Sequence, residues 1–109
     1  MVEISGIPVI RDARELAHAL QKDVLIGFDT ETTGLSPWHH QIAVMQFYGD
    51  TSGALGVIQI DNGQVPKEIL SLFTPDRTFI CHNAAGFALL MLDTAGILWR
   101  QTNWYDYLV

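Results

Sequence analysis

Two acids separated by one residue, Asp29 and Glu31, stand directly after the apolar run Val24-Leu25-Ile26-Gly27-Phe28. On a strand successive side chains alternate, so such a pair projects from one face with Cα atoms about 7 Å apart. Oxygen donors placed that way suit hard cations such as Mg²⁺ or Mn²⁺. With two ions about 3.5–4 Å apart, one lowers the pKa of an attacking water and the other steadies the leaving oxygen of a phosphodiester. An Asp-x-Glu pair is common in any acidic chain, and carboxylates at strand ends are ordinarily just solvated. Position raises its weight here. A carboxylate that follows so apolar a run is costly at the centre of a sheet unless a partner or a cation compensates it.

The run that carries the pair has the near-continuous apolarity of a strand covered on both faces. Thr33-Gly34-Leu35-Ser36-Pro37 ends it. Gln41–Tyr48 and Ala54–Ile60 follow as two more strands, joined through Gly49-Asp50-Thr51-Ser52-Gly53 by a turn short enough to require antiparallel pairing. Upstream, Pro8–Ile10 is a short strand. Asp12 then opens a helix over Ala13–Leu20, with Ala13, Leu16, Ala17 and Leu20 on one face and Glu15 placed for a capping box. Downstream, Pro66 starts a short helix through Phe73. Thr78–Cys81 is a strand parallel to the one that carries the acids, since a helix separates it from the strands before. Ala84–Thr94 is an apolar helix stopped at Gly96, and Trp104–Val109 opens a further element. The expected fold is α/β: three antiparallel strands, then helix, strand and helix, on one mixed sheet.

A chain of 109 residues has room for a single core and a single domain, 1–109. Its 49% apolar and 17% charged residues are those of a globular chain. Met1–Ile10 lacks the basic start and long apolar stretch of a signal peptide, and no apolar run is long enough to span a bilayer. One cysteine, Cys81, leaves no internal disulfide and fits a reducing cytoplasm. The net charge of −6 argues against a module that grips nucleic acid through a basic surface. It suits a site that must be acidic before a metal arrives.

The segment Phe28-Asp29-Thr30-Glu31-Thr32-Thr33-Gly34-Leu35 resembles, almost letter for letter, the first motif of the DEDD-type 3'-5' exonuclease superfamily. Ile42-Ala43-Val44-Met45-Gln46-Phe47 is similar to the Gln-bearing strand of its ribonuclease D and DNA polymerase I proofreading branch. The resemblance implies a ribonuclease H-like sheet and stepwise release of nucleotides from 3' ends of DNA or RNA. It implies Asp29 and Glu31 as catalytic metal ligands for Mg²⁺ or Mn²⁺. Thr32, Leu35, His82, Asn83 and Phe87 would contact the substrate strand, with Leu35 against the last base.

The second motif of that family runs His-Asn, a short spacer, an aromatic and a metal-binding Asp. Here His82-Asn83 and Phe87 are present, but Ala88 occupies the acid's place and Asp93 lies five residues on. Five residues along a helix amount to a rotation of about 140° and a rise of about 7.5 Å, so Asp93 is no substitute. The third motif, an aromatic or His with an Asp on a late helix, has no counterpart, and the C-terminal part of the fold is expected to be missing. Impaired hydrolysis and weak metal binding are the expectation. Two rival readings are a non-catalytic nucleic-acid-binding or assembly module, and a fragment completed by a partner chain or second copy over an exposed apolar face. His39-His40 reads as a solvated loop, since adjacent side chains diverge. Trp38, Trp99 and Trp104 read first as packing residues, with base stacking the less common use of such rings. A buried, inert thiol is the reading of Cys81.

Overall fold

A computed structural model of the chain describes residues 2–4, 6–34, 41–82, 92, 96–97 and 99–107. Its elements are β1 (Val2–Ile4), β2 (Ile7–Ile10), α1 (Ala13–Ala19), β3 (Leu25–Thr32), β4 (Ile42–Gly49), β5 (Leu55–Gln59), α2 (Lys67–Leu70), β6 (Thr78–His82), a 3-10 turn (Trp99–Gln101) and β7 (Asn103–Tyr107). The seven strands make one mixed sheet in the order β1-β2-β5-β4-β3-β6-β7. β3, β4 and β5 form the antiparallel meander expected from their short connections. β6 joins β3 in parallel, and β7 joins β6 likewise. This is the α/β, ribonuclease H-like arrangement.

Three details depart from the sequence reading, and one alternative is resolved. The chain opens with a hairpin, because Val2–Ile4 pairs antiparallel with β2 across Gly6 in the left-handed region; three residues are too few to show a period. The helix at Pro66 covers only Lys67–Leu70, with Pro66 as its N-cap. The last element, open between strand and helix in the sequence, is strand β7, and its half-buried Trp104 packs against the core cluster. β3 is not covered evenly: its burial alternates, with Ile26 and Phe28 buried and Asp29 and Glu31 exposed. The helix expected over Ala84–Thr94 lies outside the described residues, apart from Leu92, which is fully buried.

Helix α1 begins where Asp12 accepts a hydrogen bond from the Glu15 amide at 2.9 Å, the forward half of the expected capping box. It lies on β5 because Gly56 presents no side chain to Leu16. On the face shared with α1 and α2, Phe28, Phe47, Phe73, Phe79 and Trp104 form one aromatic cluster. Phe73 and Phe79 stack at 4.6 Å, and Phe28 meets Phe79 edge-on at 5.9 Å. Such geometry adds to the burial of the rings.

At the far end of β3 from the acid pair, Asp23 is 2% exposed. It accepts the Thr51 amide at 2.7 Å, the Ser52 amide at 3.0 Å and the Ser52 hydroxyl at 2.5 Å, which fixes the β4–β5 turn. Arg77 donates from Nε to the Asp23 carbonyl and from Nη2 to that of Gln21, tying the start of β6 to the same corner. Burial opposes ionisation of Asp23. The Ser52 hydroxyl, the Ser52 and Thr51 amides and the Arg77 charge outweigh it and hold the carboxyl below its ordinary range.

A carboxyl with a depressed folded pKa contributes stability that is fully present above its unfolded value and is lost as pH falls through the folded one. Urea unfolding between pH 7 and pH 3 is therefore expected to show a stability gap between the unaltered chain and Asp23→Asn of about 1–3 kcal/mol at pH 7, narrowing on acidification. Gly56→Ala, whose new Cβ collides with Leu16, is expected to lower stability by about 1–3 kcal/mol in the same assay.

Candidate metal and nucleic-acid site

Alternation along β3 sends Ile26 and Phe28 into the aromatic core and Leu25, Gly27, Asp29 and Glu31 to the opposite face. Asp29 lies opposite Gln46 of β4, and Glu31 opposite Val44. Both acids are exposed, and neither carboxylate has a hydrogen-bond or ion-pair partner among the described residues. Two hard oxygen donors on one face, with no competing cation among the described residues, are the donor chemistry that a Mg²⁺ or Mn²⁺ ion requires. Among the described residues, no group of three or more His, Cys, Asp or Glu side chains is placed to hold a metal. The acid pair thus offers two carboxylates that could hold one ion.

Beside Asp29 the sheet face sinks into a hollow of about 470 Å³, lined among others by Gly27, Gln46, Tyr48, Leu55 and Ile80. Gly27 makes the floor: it pairs with Tyr48 on one side and Ile80 on the other, and has no side chain to fill the gap between them. The rim combines a carboxylate, a carboxamide and the half-exposed Tyr48 ring with aliphatic walls. Pockets that hold small organic groups have this mixture of apolar walls and a few polar groups.

Other residues named from the sequence fall in three places. His82 ends β6 two residues beyond Ile80, as Asp29 lies two beyond Ile80's partner Gly27, so both stand at one end of the sheet. Thr32 falls on the face opposite Asp29 and Glu31, and its hydroxyl donates to the Gly34 carbonyl at 2.6 Å. The structure does not bring it together with the acids. Leu35, Asn83, Phe87 and Ala88, with Trp38 and His39-His40, lie outside the described residues. Cys81 is buried, as expected.

Two residues at this end of the sheet were not singled out from the sequence. Thr33 and Gln41 face each other where β3 and β4 part: the Thr33 amide donates to the Gln41 carbonyl at 2.8 Å, and the Gln41 amide donates to Thr33 Oγ1 at 3.0 Å. Eight residues separate them, and only a β-hairpin register could have paired them in advance.

No protein-family model and no curated sequence matches the chain. Solved structures do. NrnC of Brucella melitensis bound to pGG is 33% identical over 70% of this chain and 37% of its own, with a TM-score of 0.61. The same protein with bound Mg²⁺ is 29% identical over 82% and 43%, at 0.61. Escherichia coli RNase D, an exoribonuclease involved in structured RNA processing, is 19% identical over 91% and 26%, at 0.67, a likeness of fold alone. This chain thus spans less than half the length of either relative. With its mixed sheet in the order β5-β4-β3-β6-β7 at the centre and its 33% identity to NrnC, the chain belongs to the DEDD-type 3'-5' exonuclease superfamily.

Proposed function

We propose that Asp29 and Glu31 hold a divalent cation, Mg²⁺ or Mn²⁺, against the 3' end of a DNA or RNA strand. The observation that carries this reading is the pair of exposed carboxylates on one sheet face beside a hollow, with no ion-pair partner among the described residues. A bound ion would supply Lewis-acid stabilisation of the phosphodiester and a more acidic water. The chain's own part is to hold the ion through two oxygens and to accept the terminal nucleotide over Gly27, between Tyr48 and Ile80. Relatives of the chain have been solved with Mg²⁺ and with pGG, which supports the same pairing of ligands here. A reducing compartment such as the cytoplasm is part of the same proposal, suited to a chain with one cysteine and no disulfide partner for it.

Two protein ligands bind Mg²⁺ weakly, since the ion keeps most of its waters. Ala88 provides no oxygen where the family has its third ligand. Hydrolysis by this chain alone is therefore slow. The alternative, a nucleic-acid-binding module without chemistry, is favoured by the absence of a third metal-ligating side chain among the described residues.

Millimolar Mn²⁺ is expected to raise the melting temperature by linkage, and Asp29→Asn with Glu31→Gln is expected to abolish the rise; a rise that persists in the double variant removes these residues as ligands. With 3'-ended single strands and Mn²⁺, slow shortening from the 3' end is expected, faster in Ala88→Asp and absent in Glu31→Gln. Strand binding without shortening in both the unaltered chain and Ala88→Asp selects the non-catalytic module.

A further inference from the structure

Pairing between β3 and β4 is regular from Ile26↔Gly49 to Glu31↔Val44, and then the register shifts, with Thr32 opposite Ile42. Ala43 is the extra residue, and its carbonyl accepts from the Ile60 amide at 2.8 Å on the other side. Glu31 is thus the last residue of the regular ladder. Beyond the bulge the two strands are rejoined by the reciprocal Thr33–Gln41 pair. A third element supports that pair from behind. Asn62 (φ 54°) and Gly63 (φ 67°) form a two-residue turn between the bridged Asp61 and Gln64, and the Gln41 side chain lies along Gly63. A Cβ on Gly63 would stand 3.0 Å from Gln41 Cδ and 3.2 Å from its Cβ and Cγ.

We propose that Thr33 and Gln41, seated on Gly63, are positioning residues that fix the direction of the Glu31 carboxylate by closing the sheet beyond the bulge. The proposal rests on the reading of Glu31 as a metal ligand. A bulge bends its strand and leaves a residue unpaired, so the carboxylate next to it is free to swing unless the ladder is closed on the far side. Thr33 closes it with its hydroxyl as well as its amide, so removing the hydroxyl alone weakens the closure without touching the core or either acid. Groups that orient a ligand from outside the coordination sphere commonly change metal affinity by about 10–100-fold.

The experiment titrates Mn²⁺ into the unaltered chain, Thr33→Val, Thr33→Ser and Glu31→Ala, with free Mn²⁺ followed by electron paramagnetic resonance and the fold by circular dichroism. Thr33→Val is expected to bind about tenfold more weakly with an unchanged circular dichroism spectrum, and Thr33→Ser, which keeps the acceptor, to bind within about twofold of the unaltered chain. Loss of structure alone would not be repaired at the level of affinity by the smaller Ser. Unchanged affinity in Thr33→Val overturns the proposal while leaving the metal site intact, provided Glu31→Ala loses binding. Unchanged affinity in Glu31→Ala overturns both. Should Thr33→Val not fold, Gly63→Ala, which presses on Gln41 from the other side, decides in its place, and normal affinity there overturns the proposal.

Discussion

The packing of Phe28 into the aromatic cluster is the contact on which the site depends. A strand's period of two leaves no freedom: once the Phe28 ring is held among Phe47, Phe73, Phe79 and Trp104, the residues on either side of it must face the other way. Asp29 and Glu31 are therefore directed by rings they never touch. A slip of one residue in β3 would drive both acids into the core, where unpaired charge is prohibitively costly, and would turn Phe28 into solvent. Core and site thus enforce the same register.

Two aspartates six residues apart show how environment divides one side chain between opposite tasks. Asp23 is buried, and amides and a hydroxyl occupy its oxygens, so it is a structural corner with nothing left to offer. Asp29 is exposed, with its oxygens uncommitted among the described residues. The acidic balance of the chain has the same meaning at larger scale: twelve acids against six Lys and Arg leave a net charge of −6, which repels anions unless cations are added.

Much of this was legible in the sequence, and the reasons are local. The Asp-x-Glu pair after an apolar run, the Gly49–Gly53 turn and the Asp12 cap are each written within a few residues, and the structure has all three. What was not legible depends on residues distant in the chain. Asp23 meets Thr51 and Ser52 across 28 and 29 positions, and Arg77 reaches Gln21 across 56. Gly56 reads as a weak point in a strand until Leu16 is seen lying on it. Thr33 and Gln41 look like ordinary loop polar residues until the register shift sets them opposite one another. The strand at Val2–Ile4 was invisible because a three-residue edge strand takes its order from its neighbour.

The strand order also decides where the molecule can be handled. Adjacent strands lie about 4.8 Å apart, so β1 stands four spacings, about 19 Å, from β3, and β7 stands two, about 10 Å. A fluorophore or tether carried on β1 stands at the remote edge of the sheet and leaves the neighbourhood of Asp29 and Glu31 clear, whereas the same label on β7 stands within reach of it.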